Sequence, residues 1–317
     1  MVDDTLLIEA LDARVDRRNR RRDFFKSVGA AVAIGGGLYL TAIDGAEAQT
    51  APTDADVLNF ALNLEYLEAQ FYSFAATGAG LANNLLTGSG AQGTVAGGRR
   101  VNFTDPLVAQ YAREIAADEI AHVGFLRNAL GTSAVAQPAI DISATPTSAF
   151  SNAARAAGLI GPGASFDPYA SDENFLLGAY IFEDVGVTAY KGASPLITNK
   201  TFLEAAAGLL AVEAYHAALI RTTLYMKGMA TPALGLVPAT EAISNARDGL
   251  DGATDIDQGV ADIGNASNIA PLNVDGLAFS RSTGQVLNIV YLNRAAASAG
   301  GFFPAGVNGT IRTSAAN

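Results

Sequence analysis

Four stretches of this chain repeat apolar residues every three or four positions, the spacing of one face of an α-helix. The first follows Thr53-Asp-Ala-Asp56, which supplies capping groups, and its face runs Leu58, Leu62, Glu65, Ala69, Tyr72, Ala76. A second begins at Thr104-Asp-Pro106, with the proline suited to a first turn, and extends to about residue 130. A third starts after Ser171-Asp-Glu173 and extends to about 190. A break over 192–199 leads to the fourth, about 201–226. Residues 78–103, rich in Gly and Asn, read as an irregular insertion, and 131–171 show little periodicity. The pattern therefore predicts two short-linked helix pairs joined by one long crossover. Beyond about residue 229 the chain turns to Ala, Gly, Asp and Asn, with short helices expected over 239–248 and 281–292. The segment Gly300-Gly-Phe-Phe-Pro304 is expected to dock on the bundle or on a neighbouring subunit.

The helical faces are apolar except for carboxylates set in their middle. An ionised Glu is rarely buried unless it is paired or bound to a metal. The chain has two histidines, and both stand in Glu-x-x-His: Glu119 with His122, and Glu213 with His216. That spacing puts carboxylate and imidazole on one helical face. The first and third helices carry Glu65 and Glu183, each followed seven residues later by a tyrosine, Tyr72 and Tyr190. The order is Glu, Glu-x-x-His, Glu, Glu-x-x-His. Arg127 and Arg221 follow the two histidines by five residues and read as surface charges or outer supports. Glu68 lies one turn beyond Glu65 and somewhat off its face, a weaker candidate for a supporting group. Asp118 precedes His122 by four, but its counterpart in the fourth helix is Val212, so the repeat favours Glu119 as the partner.

Carboxylates and imidazoles without thiolates suit iron, manganese or zinc. Four Glu and two His match two divalent cations, with +4 against −4, so a buried cluster would be near neutral. Without metal the four carboxylates would repel one another and some would take up protons. The same residues could instead form metal-free His–Glu pairs in a bundle core.

Composition narrows the classes. Of 317 residues, half are apolar and 16% are charged, as in a globular chain. A net charge of −11 argues against nucleic acid and anionic membrane surfaces as partners. The absence of cysteine excludes disulfides, thiolate metal sites and Cys nucleophiles. No phosphate loop or Ser-His-Asp set is present. The Asp251–Asp257 stretch lacks the Gly and the closing Glu of a calcium loop and reads as a solvated loop. Residues 1–48 have the layout of an export signal: Arg21-Arg-Asp-Phe-Phe-Lys26, a weakly apolar stretch, then small residues before Gln49. The arginine pair resembles the twin-arginine type, which places the mature chain in the periplasm or outside the cell, with no stable membrane insertion after cleavage.

The ligand order on two helix pairs with one crossover resembles the ferritin-like superfamily, over roughly residues 53–228. The segments 58–69, 182–192, 281–291 and 300–309 resemble the exported desiccation-related proteins of that superfamily. Manganese catalases share the fold and the site type. The resemblance implies an all-α, ferritin-like four-helix bundle over 49–229, with irregular insertions and a C-terminal extension over 230–317. It implies two metal ions, iron or manganese, held by Glu65, Glu119, His122, Glu183, Glu213 and His216. Tyr72, Tyr190 and Glu68 would stand behind them, and Glu213 would either ligate or act as the catalytic base. Redox chemistry on hydrogen peroxide or oxygen in stress protection is the activity so implied, with a homo-oligomer compatible. An iron oxidase, and a structural stress protein whose metals only stabilise the bundle, are the alternatives.

Overall fold

The computed structural model describes residues 51–317, so the proposed leader lies outside the described residues. The periodic stretches form α1 (Asp54–Thr77), α2 (Pro106–Leu130), α4 (Asp172–Ala193) and α5 (Lys200–Ala230). Between and after them come β1 (Val95–Gly97), β2 (Ile140–Ile142), α3 (Ala149–Ala156), α6 (Leu236–Asp251) and α7 (Thr283–Tyr291). The crossover is thus less irregular than its composition suggests. β1 and β2 pair in parallel, Val95 opposite Ile140. α3 starts where the Ser148 hydroxyl accepts from the Ser151 amide at 3.3 Å. These elements are too short to show a period in sequence.

Local chemistry sets the bundle's ends. Thr53 and Asp56 form a capping box on α1, and Gly78, at φ 84°, closes it in the left-handed region. Asp105 caps α2, Ser171 caps α4 and Asn199 caps α5. The two helix pairs also hold each other's starts. Asp54, first residue of α1, accepts from the Thr198 and Asn199 amides at 2.7 and 2.9 Å, just before α5. Asp172, first residue of α4, accepts from the Thr104 and Asp105 amides at 3.1 and 3.0 Å, just before α2. The repeat seen in the ligands therefore extends to the caps.

α1 packs on α2 and α4 on α5, while α2 and α5 touch only sparsely. Phe71 stands at the centre of the aromatic core, 5.4 Å from Phe150 and 5.7 Å from Phe175 and Phe182, ring centre to ring centre. The C-terminal extension completes that core. Phe302 packs 5.1 Å from Phe150 and 4.9 Å from Phe182, and Phe302 and Phe303 are fully buried. Asn308 and Asn63 exchange two hydrogen bonds of 2.9 Å, pinning the tail to α1.

Candidate metal centre

The four bundle helices bring six side chains to one buried locus. Glu65 comes from α1, Glu119 and His122 from α2, Glu183 from α4, and Glu213 and His216 from α5; all six are buried. His122 Nδ1 stands 3.1 Å from Glu65 Oε2, 3.6 Å from Glu119 Oε2 and 3.8 Å from Glu213 Oε1. His216 Nδ1 stands 3.1 Å from Glu119 Oε1 and 3.7 Å from Glu183 Oε2. There are thus two nests, each headed by an imidazole, and Glu119 reaches both with its two oxygens. The ring centres lie 6.2 Å apart. Ligand atoms of Glu65, Glu119, His122 and Glu213 all fall within 4.8 Å of one another, close enough to hold one cation.

The donor atoms are poised for something other than each other. Seven buried side-chain N or O atoms lack a hydrogen bond among the described residues, and five belong to this cluster. They are Glu119 Oε2, Glu183 Oε2, both Glu213 oxygens and His216 Nδ1. Leaving buried polar atoms unpaired costs ~1–3 kcal/mol each, so such a concentration fits bound cations better than a finished hydrogen-bond network. The donors are nitrogen and oxygen only, which suits iron, manganese or zinc.

Supports surround the nests. The Tyr72 hydroxyl donates to Glu183 Oε1, and the Tyr190 hydroxyl donates to Glu65 Oε1. Each tyrosine reaches the carboxylate of the other helix, because a step of seven residues carries it two turns away from its own. Asp118 Oδ2 lies 3.2 Å from His216 Nε2, across the gap between α2 and α5. An ionised carboxylate only accepts, so it holds the proton on Nε2 and leaves Nδ1 as the ligand atom. Asp118 therefore serves the histidine of the other helix, a pairing that reading along one helix does not suggest. Gly186 is the second residue missed. A Cβ there would overlap the Glu213 carboxylate, so the glycine makes the room in which Glu213 sits. Gly186 follows Glu183 by three, and its counterpart in α1, three residues after Glu65, is Glu68. That Cβ position lies 3.6 Å from Glu68 Oε1, so Glu68 approaches Glu213 across the space left by Gly186. The aligned helices carry a signal for this: one half has Glu where the other has Gly.

Arg127 and Arg221 do not join the cluster. Arg127 donates to the Tyr66 hydroxyl and the Thr87 carbonyl, both at 2.6 Å. Arg221 is not a surface charge. It is buried and donates to Asp184 Oδ2 at 2.8 Å and to the carbonyls of Gly259, Asn268 and Ile269 at 2.7 Å.

Protons would balance the charge where cations are absent. Burial, reinforced by Glu119, raises Glu65 to about 7, and burial raises Glu183 to about 8. Burial also pushes Glu68 and Glu213 well above the usual carboxylate range, with their neighbouring carboxylates adding to it. Glu119 moves the other way, to about 2; burial opposes this but the two histidines outweigh it. His122 is pushed up to about 11 and His216 to about 9; burial opposes both shifts, but the carboxylates around the rings, Glu119 first, outweigh it.

Comparison with known proteins agrees with this architecture. The profile of the family described as "Ferritin-like domain" matches residues 53–226, the span of the four bundle helices. The chain is 30% identical over 271 residues to "Ferritin-like catalase Nec2" of Nesocodon mauritianus, covering 81% of this chain and 84% of that one. It is 34% identical over 218 residues to "Desiccation-related protein PCC13-62" of Craterostigma plantagineum, covering 67% of this chain and 65% of that one. No solved structure matches the chain. With four ligand-bearing helices, one long crossover and a matching profile along the whole bundle, the chain belongs to the ferritin-like family.

Proposed function

We propose that this protein is an exported dinuclear metal protein that disproportionates hydrogen peroxide, in the manner of a manganese-type catalase. The observation that carries the reading is the concentration of unpaired, buried donor atoms in two imidazole-headed nests sharing Glu119. The name of the relative from Nesocodon mauritianus, a ferritin-like catalase, supports the choice of peroxide. Glu65, Glu119 and His122 would hold one ion, and Glu119, Glu183 and His216 the other. A pair of iron or manganese ions bound there would supply the two-electron redox change that peroxide disproportionation needs.

The chain's own residues supply the remainder. Tyr72 and Tyr190 fix the orientation of Glu183 and Glu65, and Asp118 fixes that of His216. Glu213 is the candidate base. Its Oε1 faces His122 Nδ1 at 3.8 Å, while its Oε2 lies toward Glu68 beside Gly186. Burial among carboxylates raises the proton affinity of Glu213 well above that of an ordinary carboxylate, so its ionised form is suited to take up a proton at Oε2 and return it. Glu68 would pass that proton outward. Without thiols, the chain has no cysteine route to peroxide reduction.

The test is to load purified protein separately with manganese and with iron, and to follow oxygen release from peroxide. We expect two ions per chain and oxygen evolution well above free metal. Glu213→Gln should keep the ions and lose ~10²–10⁴-fold in turnover, the range for removal of a general base. If loaded protein releases no oxygen but consumes it when ferrous iron is added, the iron oxidase reading replaces this one. Silence in both assays would leave a structural role.

A further inference from the structure

We infer that the open face of α2 and α5 is an interface with a second copy of this chain, and that the second copy closes the mouth of the metal centre. The starting point is α5, which is as long and apolar as a membrane-crossing helix. From residue 205 to 226 its acidic and basic side chains are Glu213, His216 and Arg221, and all three are buried. About six turns of solvent-facing helix therefore present no charge. What they present is apolar and large: Tyr215 is 74% exposed, Met226 63% and Met229 55%. Gly208, Ala211, Tyr215, Thr222, Met226 and Met229 step along the helix by threes, fours and one seven, the spacing of a seam that packs on another helix.

α2 continues this surface. The helices run in opposite directions, since Lys227 near the end of α5 lies 3.4 Å from Asp105 at the cap of α2. Leu107, 56% exposed, thus lies at the Met226 end, and Phe125, 44% exposed, lies on the same side of α2 toward the start of α5. Soluble monomers rarely leave so much contiguous apolar surface in water. Arg113 lies to one side of the line from Leu107 to Phe125, while Glu114, seven residues after Leu107 and four before Asp118, lies on it, so the charge of the patch is carried by α2 and its uncharged half is α5.

Charge selects the occupant. The α5 half of the face, without exposed charged side chains from residue 205 to 226, gives a charged partner little to pair with. An anionic membrane is disfavoured by the chain's net charge of −11. The occupant that suits the α5 half is a long, uncharged helical face, and α5 is itself such a surface. A two-fold axis through it pairs α5 with α5, each copy covering the other with the same residues. The seam from Gly208 to Met229 is ~30 Å long, and two helices make it ~20 Å wide. The footprint is on the order of 600 Å² per copy, near the ~800 Å² of a standard stable interface.

The position of the face gives the contact a consequence. His122 and His216, at 7% and 4% exposure, are the least buried of the six cluster residues. Asp118, which holds His216, has its side chain 43% exposed in the groove between α2 and α5. A second copy seated there would put Asp118 and the histidine side of the centre out of bulk water.

The test is light scattering coupled to gel filtration on purified protein, with Tyr215→Glu, Met226→Glu and, as an exposed control away from the seam, Val274→Glu. Tyr215 and Met226 are mostly solvent-facing, so their variants should keep the wild-type circular dichroism. We expect a dimer for the wild type and for Val274→Glu, and monomers for the other two. Hydrogen exchange across Asp118 and Tyr215 should rise several-fold in those monomers. A monomeric wild type would overturn the inference. So would dimers that survive both charges, or a monomeric wild type that floats with neutral phosphatidylcholine vesicles, which would make the face a membrane surface.

Discussion

At the scale of single residues, the site depends on one absent side chain as much as on six present ones. Gly186→Ala puts a methyl group where the Glu213 carboxylate sits, and Glu213 cannot retreat without leaving its nest or pressing on Glu68. We expect near-normal folding, because the bundle faces are untouched, but a loss of ~10–100-fold in metal affinity or turnover. Metal analysis after dialysis, alongside oxygen release, checks this; full retention of both would mean that Glu213 has room elsewhere. Protonation gives a second expectation. In metal-free protein Glu65 and Glu183 have pKa values raised to about 7 and 8, so the folded state binds more protons than the unfolded chain above pH ~4.5. Their effect is to lower stability as pH rises through that window. His122 and His216, raised to about 11 and 9, stabilise fully below their unfolded value and lose that contribution as pH rises through those higher values. Glu119, lowered to about 2, stabilises above pH ~4.5 and loses that contribution only as pH falls toward 2. Metal-free protein should therefore melt at falling temperature from pH 5 to 8, while metal-loaded protein, its carboxylates held ionised by cations, should not. Parallel melting curves across that range decide the point.

At the scale of elements, the C-terminal extension is held to the bundle by buried charge. Arg221 of α5 and Arg247 of α6 both donate to Asp184 of α4, at 2.8 and 3.0 Å. Arg247 also reaches Asp257 at 2.7 Å, and Arg281 reaches Asp257 and Asp251, each at 2.7 Å. Three arginines and three aspartates thus alternate through a region closed to water, so Asp251 and Asp257 are buried ion-pair partners and not ends of a solvated loop. Removing one partner strands a buried charge, so Arg221→Ala should cost about 3–5 kcal/mol, measured by denaturant unfolding. A cost below 1 kcal/mol would show that water reaches the network. None of this was legible in the sequence. Arg221 reads as a surface group because its neighbours in the network are far along the chain, and no spacing rule links residue 221 to 257 or 281. The bundle was legible for the opposite reason. Glu65, Glu119, His122, Glu183, Glu213 and His216 stand on helices whose period is local, and the repeat of the two halves brings them to one level. The cross-helix pairs were not: Tyr72 with Glu183, and Asp118 with His216, need the packing of antiparallel helices before they appear. The short strands and α3 were hidden because three to eight residues carry no period.

At the scale of the whole molecule, the ligands come from four helices separated by up to about 150 residues, so the centre exists only in the folded chain. Metal can therefore be acquired only once the chain has folded. An exported protein that folds outside meets whichever metals that compartment offers, and affinity order then favours copper and zinc over manganese and iron. One that folds inside can be loaded first and carried out whole. The Arg21-Arg22 pair ahead of Phe24-Phe25-Lys26 resembles the type read by a route for folded proteins, and on that resemblance we propose the second course. Replacing both arginines by lysine keeps the charge of the leader but removes the pair. We expect that variant to stay in the cytoplasm with its leader attached, folded and carrying the same metal as the exported protein. Fractionation with metal analysis on each fraction checks both halves of the expectation. Export unchanged by the substitution would put the chain on another route. Retained protein that lacks the metal found in the exported form would show that the centre is filled only after export.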